Sequence, residues 1–166
     1  MTRKIMLETT TNLKSFSVLV SDTGASQLSF CVISEINNLP AICPNIDGIV
    51  FYENKHKNCL PANFSVMHIS SAWGMSGPVI ATSFSTAYKL LNFPSSKKFF
   101  YVWNLEWITG NDIKQYERYK KVYQDTSLSL IARSEPHKKI IENAFNRDVE
   151  HVVSDFNMSE ILEIIK

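Results

Sequence analysis

The sequence predicts an α/β protein, a single Rossmann-like domain over residues 1–166 whose mainly parallel sheet carries helices on both faces. Short apolar runs rich in β-branched and aromatic residues alternate along the chain with amphipathic helical patterns, which is typical of such a sheet. Two of these runs, GPVIATSFSTAYKLL from Gly77 and LIARSEPHKKIIENAF from Leu130, end in small hydroxyl residues that open a helix. Such strand-to-helix junctions are where α/β proteins hold phosphates and sugars.

The first third of the chain predicts one or two strands and a helix. Residues 4–8 form an apolar run that indicates a strand, and the polar cluster at 9–12 ends it. Residues 16–20 fit either a second strand or the approach to a helix. From residue 25 to about 38 apolar residues recur at helical spacing, with capping residues at 21–23 and Pro40 closing the segment.

The rest of the chain predicts alternating elements. Residues 48–52, 64–69 and 78–82 are short, β-branched and aromatic, so we expect strands there. Ser83 or Ser85 then caps a helix. The remaining predictions are strands at 99–103, 128–132 and 149–153, and helices at 112–124, 136–145 and 159–166.

Composition and charge narrow the function classes. A chain of 166 residues, 45% of them hydrophobic, suffices for one domain with a core and is short for two. Its 17 basic and 16 acidic residues create no global field that would attract nucleic acid or an anionic membrane. The loop ENKHKN at 53–58 is locally basic, which fits phosphate or nucleic-acid contact as well as a solvated connection.

The chain carries none of the signals of secretion or membrane insertion. Its three cysteines are odd in number and lack CxxC spacing, which favours reduced thiols. The N-terminus MTRKIMLETT has no apolar signal-peptide region, and no run reaches the ~18 apolar residues of a membrane span. We therefore expect a cytoplasmic protein with no membrane partner.

The common nucleotide and metal motifs are missing from the sequence. There is no GxGxxG, no P-loop GxxxxGK[ST] and no GxSxG elbow. The sequence also lacks an Asp-x-Asp pair, and its four histidines are scattered rather than at ligand spacing. Any activity is expected to need neither metal nor cofactor.

The segment VWNLEW offers a candidate catalytic residue, Glu106. Trp103, Asn104 and Trp107 surround it just beyond the strand at 99–103. A carboxylate between indoles can lose hydration, which raises its pKa and makes it a suitable general base. Flat aromatic faces and the Asn104 amide are suitable for binding a sugar. The alternative is a solvated carboxylate beside two core tryptophans.

Two further groups of residues follow predicted strands. After residue 132 come Arg133, Ser134, Glu135 and His137, which fit phosphate or sugar contacts and acid–base chemistry. They also fit an ordinary helix start, with Ser134 as N-cap, Glu135 in the first turn and Arg133 in a surface ion pair.

The second group follows the strand at 78–82. Thr82, Ser83 and Ser85 fit a cradle for an anion, or equally an ordinary helix cap.

The order of four segments resembles the first Rossmann-like half of GT-B glycosyltransferases, and most closely short glycosyltransferase-like proteins of tailed bacteriophages. The segments are GPVIATSFSTAYKLL, KKFFYVWNLEW, LSLIARSEPHKKIIENAFN and VEHVVSDFN, which together cover residues 77–157. Asn104 and Glu106 match the family's acidic turn, and residues 132–135 match its later strand end, a small residue and Ser before a helix.

The resemblance implies metal-independent transfer of a sugar from a nucleotide-sugar donor to an acceptor. Glu106 would then deprotonate the acceptor hydroxyl, while Arg133, Ser134 and helix amides would stabilise phosphate charge. The resemblance also implies a cytoplasmic location in an infected host, with modified phage DNA as a candidate acceptor that the neutral charge of the chain disfavours.

The family's second domain, which holds most of the nucleotide sugar, has no counterpart in this sequence. A homodimer or a second GT-B-like subunit would then supply the other wall of the cleft. The six residues Trp73, Trp103, Trp107, Tyr116, Tyr119 and Tyr123 offer aromatic surface for such an interface, or simply core. A non-catalytic module that binds a sugar or nucleotide, or regulates a partner, is the alternative function.

Overall fold

The protein is built on a parallel β-sheet. Its structure is a computed structural model, which describes residues 13–95, 97–109 and 113–166. Over these residues the strands are β1 (Ser15–Val20), β2 (Asp47–Tyr52), β3 (Ser65–His68), β4 (Val79–Ala81), β5 (Lys98–Val102), β6 (Leu128–Ala132) and β7 (His151–Val152). They pair in the order β3-β2-β1-β4-β5-β6-β7, and each neighbouring pair is parallel.

Helices cover both faces of this sheet. They are α1 (Gln27–Ile42), α2 (Phe84–Leu90), α3 (Ile113–Tyr123), α4 (Glu135–Phe145) and α5 (Met158–Ile165), with short 3-10 helices at Ile69–Gly74, Glu106–Ile108 and Ser154–Phe156. α1 and α5 pack on one face against Val18, Ile80 and Tyr101. α2, α3 and α4 pack on the other face, against residues such as Leu19 and Phe100. The predicted α/β fold, with helices on both faces of a parallel sheet, is confirmed.

The structure corrects the reading of the first third of the chain. Of the two alternatives for residues 16–20, the structure shows the strand: they belong to the inner strand β1 and not to the approach to a helix. Ser26, not residues 21–23, caps α1, and the helix continues past Pro40 because the Cys43 N–H still reaches the Leu39 carbonyl at 2.8 Å. The predicted strand at 4–8 and turn at 9–12 lie outside the described residues.

Most later elements lie within one residue of their predicted ends, and the exception is the last strand. Only His151–Val152 of the predicted strand at 149–153 pairs with β6. Upstream, the Val149 N–H donates to the Glu142 carboxylate instead of a strand. Downstream, the chain turns through Asp155 and Phe156, whose φ angles of 50° and 59° lie in the left-handed region.

A buried tyrosine holds this left-handed turn. The Tyr101 hydroxyl donates to the Val153 carbonyl at 2.6 Å and accepts from the Phe156 N–H at 3.0 Å. Tyr101→Phe leaves both backbone groups unpaired in the core, so we expect urea denaturation to show a loss of about 1–3 kcal/mol in the free energy of unfolding. The control Tyr116→Phe removes a hydroxyl from an exposed ring, where it makes only a long 3.5 Å contact to the Ala144 carbonyl, and should stay within about 0.5 kcal/mol. Equal losses in the two variants would refute this assignment.

Candidate functional site

A cleft of about 420 Å³ opens beyond the carboxyl ends of β1, β4 and β5. Its walls are residues 21–22 and 26–29 after β1, residues 82, 83 and 85 after β4, and residues 103, 104 and 106 after β5. β1 and β4 are the neighbouring strands from which the sheet order runs in opposite directions. Open α/β sheets bind their ligands outside the strand ends at such a switch point, so we name this feature the switch-point cleft.

The wall after β1 is a folded polar loop. Asp22 Oδ1 accepts the Gly24 N–H at 2.7 Å, and the Ser29 hydroxyl donates to the Asp22 carbonyl at 3.0 Å. Ser26 Oγ accepts the Ser29 N–H at 3.0 Å and so caps α1. The first turn of α1 therefore lies in the wall with its partial positive charge toward the cleft.

The wall after β4 is the start of α2, which a capping box closes. Ser83 Oγ accepts the Thr86 N–H, and Thr86 Oγ1 accepts the Ser83 N–H. The Ser21 hydroxyl donates to Ser83 Oγ at 2.9 Å and joins the first two walls. Thr82 is 2% exposed and donates to the Leu19 carbonyl at 2.9 Å, so its hydroxyl links β4 to β1.

Glu106 projects from the third wall. It begins the 3-10 helix Glu106–Ile108, and its Oε1 accepts the Phe84 N–H at 3.1 Å at the start of α2. Burial raises the pKa of Glu106 above the usual carboxyl range, the negative charge of Glu53 adds to the rise, and the Phe84 N–H opposes it. A fixed carboxylate with a raised pKa, in a cleft lined by hydroxyls, can accept a proton from a bound alcohol.

The residues around Glu106 separate into cleft and core. Asn104 and Trp103 line the switch-point cleft, although Trp103 is only 4% exposed. Trp107, predicted to bind ligand, is a core residue: its ring meets those of Tyr123 and Phe145 edge to face at 4.8 and 4.9 Å. A sugar in the cleft therefore cannot stack on Trp107.

The predicted residues after β6 lie outside the lining of the cleft. Ser134 caps α4, with its Oγ 3.0 Å from His137 Nδ1, and Glu135 is exposed in the first turn. Burial lowers the pKa of His137, and the positive charge of Arg133 lowers it further. The Arg133 guanidinium lies 4.5 Å from the centre of the Trp103 ring, so this group borders the cleft through Trp103.

The part of the chain that the structure describes has three further features. No three His, Cys, Asp or Glu side chains in it come close enough to bind a metal ion together. None of its helices is long and apolar enough to cross a membrane. Cys31, Cys43 and Cys59 are unpaired.

The residues of the wall after β1 are absent from the site residues that the sequence predicts. The sequence leaves residues 16–20 open between a strand and the approach to a helix, and the segment SDTGAS after them offers helix caps at residues 21–23. The signal for Ser21, Asp22 and Ser26 as site residues is the order of three features in the sequence: an apolar run, a short polar loop with one glycine, and an amphipathic helix.

Comparisons of the chain with protein-family models, with curated proteins and with solved structures find no match. The resemblance to GT-B glycosyltransferases consequently stays a prediction from the four segments named above.

The contacts of Ser83 give a prediction for ligand binding and stability together. Ser83→Ala removes the cap of α2 and the partner of the Ser21 hydroxyl, so thermal or urea denaturation should show a loss of about 1 kcal/mol. Asn157→Ala, which removes the cap of α5 away from the cleft, should cost about as much. Only Ser83→Ala should also weaken ligand binding, and equal binding by both variants would exclude Ser83 from the ligand site.

Proposed function

We propose that the protein takes part in metal-independent glycosyl transfer from a nucleotide-sugar donor to a hydroxyl acceptor bound in the switch-point cleft. The observation that supports this most directly is the position of Glu106 in a cleft whose other walls present hydroxyl groups and an amide. Its Phe84 contact fixes its orientation, and its raised pKa suits a general base. Walls rich in hydroxyl groups match a polyol.

The proposed chemistry uses Glu106 to activate the acceptor. The acceptor hydroxyl donates to the Glu106 carboxylate, while Ser83 and Asn104, which line the same cleft, orient the sugar. As the acceptor oxygen bonds to the anomeric carbon of the donor, its proton passes to Glu106. The bond between that carbon and the diphosphate breaks, and the nucleoside diphosphate leaves with the electron pair.

Charge on the leaving diphosphate needs a separate group. Arg133, held over Trp103 beside the cleft, is the nearest predicted cation, and Ser134 and the first amides of α4 follow it. We assign them this role in the proposal because guanidinium and helix N-termini both bind phosphate oxygens. Glu135 and His137 would then contact the donor from the same turn.

The opposite wall of the cleft is proposed to come from a second copy or a second GT-B-like subunit. Of the six aromatic residues suggested for an interface, Trp103, Trp107, Tyr119 and Tyr123 are buried in the core. Trp73, 51% exposed, and Tyr116, 42% exposed, remain for a partner.

A non-catalytic binding module is the second candidate, and one contact favours it. The Glu106 carboxylate already accepts the Phe84 N–H, which gives this residue a structural reason to be present without any reaction. Such a module would bind a sugar or nucleotide in the same cleft and release it unchanged.

A panel of nucleotide sugars tests the proposal. A donor present at 100 times its Kd stabilises the fold by about 2.7 kcal/mol, a Tm rise of about 5–10 °C for a domain of this size. Donors that raise Tm are then incubated with free sugars and with duplex DNA, and glycoside and nucleoside diphosphate are quantified. Stabilisation with turnover supports the enzyme, and stabilisation without turnover supports the binding module. No stabilisation by any donor refutes both.

A further inference from the structure

The loop after β2, residues 53–58, is a basic surface beside the switch-point cleft. Lys55, His56 and Lys57 are all exposed, and none forms an ion pair within the described residues. The acidic residue at the start of the loop, Glu53, is neutralised by Lys89 at 2.5 Å and accepts the Ser85 hydroxyl at 2.7 Å. Two lysines therefore remain uncompensated at this point of a chain whose net charge is only +1.

The loop is tied at both ends to the wall of the cleft. At its start the Asn54 N–H donates to the Ser21 carbonyl at 2.8 Å. At its end the Thr23 hydroxyl donates to Asn58 Oδ1 at 2.6 Å, and the Cys59 N–H donates to the Thr23 carbonyl at 2.9 Å. In the middle His56 packs against Gly24, where a Cβ would lie 3.4 Å from the His56 Cβ. The basic side chains are thus carried on a loop that is hydrogen-bonded at both ends to the loop of Ser21 and Asp22.

The lining of the cleft itself has the opposite character. Its ionisable side chains are the carboxylates of Asp22 and Glu106, and its remaining polar side chains are hydroxyls and amides. A ligand that fits both surfaces has hydroxyl groups for the cleft and an anionic group for the basic loop. Lysine ammonium groups bind phosphate oxygens as point charges.

We propose that the switch-point cleft binds a phosphorylated polyol, with its sugar hydroxyls between Ser83 and Glu106 and its phosphate against Lys55 and Lys57. This inference rests on the proposed function and names the substrate class for the same cleft. The phosphate belongs either to a phosphorylated sugar acceptor or to the diphosphate of the donor, and in the second case Lys55 and Lys57 take the role assigned above to Arg133 and Ser134. In both cases phosphate oxygens contact Lys55 and Lys57.

Amide chemical shifts in 15N-labelled protein titrated with inorganic pyrophosphate test the phosphate subsite directly. We expect saturable shifts in residues 21–29 and 53–58, and about tenfold weaker binding in Lys55→Ala/Lys57→Ala, since two exposed charged contacts together are worth on the order of a tenfold change in affinity. The matched control Lys120→Ala/Lys121→Ala removes two exposed charges from α3 and should bind like the wild type. Shifts that do not saturate, or that are equal on α3, overturn the proposal.

A second titration separates this inference from the proposed function. Glucose, glucose 6-phosphate and UDP-glucose are compared at two salt concentrations. Tighter binding of glucose 6-phosphate than of glucose, lost in Lys55→Ala/Lys57→Ala, assigns the phosphate to an acceptor. The same loss confined to UDP-glucose assigns it to the donor. If the variant and the wild type bind all three ligands equally, the inference fails even where transfer is observed. If phosphorylated ligands bind through the loop but no transfer occurs, the catalytic proposal fails instead.

Discussion

Glu106→Gln is expected to abolish sugar transfer while the fold stays intact. The glutamine side-chain oxygen can still accept the Phe84 N–H, so α2 keeps the partner at its first turn. The amide cannot accept the proton of the acceptor hydroxyl. General base catalysis contributes about 10²–10⁴-fold to rate, so we expect kcat to fall by that factor with little change in KM. Initial rates with a donor that stabilises the protein give both constants.

The same substitution has a pH-dependent effect on stability. Because burial raises the pKa of Glu106 in the folded protein, the unfolded chain releases this proton at a lower pH than the folded chain. At a pH below the pKa of Glu106 in both the folded and the unfolded protein, the carboxyl is protonated in both states and does not lower the free energy of unfolding. As pH rises past the unfolded pKa, the wild type loses stability relative to the glutamine variant, and the difference levels off above the folded pKa. Denaturation across this pH range should show the variant gaining relative stability from acid toward neutral pH.

Glu35→Gln is the matched control for both measurements. Glu35 Oε2 accepts the Met158 N–H at 2.8 Å at the start of α5, the same kind of contact that Glu106 makes with α2, but it does not line the cleft. Its activity should equal that of the wild type. If Glu106→Gln keeps full activity, or if both variants lose it equally, Glu106 is a helix-capping residue and the binding-module function is favoured.

The fold was predictable because its signals are local. Strands such as β4 carry an unbroken apolar run, VIA, that is soon followed by the helix cap Ser83, and a sheet buried on both faces requires such runs. β1 was ambiguous because Ser15 and Ser17 interrupt its apolar residues. Ser17 is buried in the sheet with its hydroxyl unpartnered, a cost that only the packing of β2 and β4 on either side can offset.

The switch-point cleft was predictable only in part because its lining comes from three segments that are far apart in the sequence. The sequence placed Thr82, Ser83, Asn104 and Glu106 after strands, and parallel strands bring those ends to one edge of the sheet. The order of the strands in the sheet decides which strand ends are neighbours. The hydrophobic periodicity of the sequence predicts the strands but not their order. β6 is one strand further from the switch point than β5, so Arg133 contacts the Trp103 ring but does not line the cleft.

Trp107→Ala is expected to destabilise the protein by about 3–5 kcal/mol, the cost of emptying a buried aromatic position. The sequence VWNLEW does not tell whether Trp103 or Trp107 faces a ligand, because a 3-10 turn follows the strand and breaks its alternation. In the fold Trp107 is 9% exposed and fills the space between α3 and α4, against Tyr123 and Phe145. Chemical denaturation of the variant measures the loss.

Trp107→Phe distinguishes packing from ligand contact. The smaller ring keeps an aromatic contact with Tyr123 and Phe145, so we expect it to recover most of the stability lost in Trp107→Ala. Ligand affinity should then match that of the wild type, measured at a temperature where both proteins are folded. A phenylalanine variant that is stable but binds sugar at least tenfold more weakly would place Trp107 in the ligand site after all. Trp107 follows Glu106 directly, so its packing also helps to fix the position of the Glu106 carboxylate. We therefore expect Trp107→Ala to lose activity even under conditions where it stays folded, because the carboxylate is displaced.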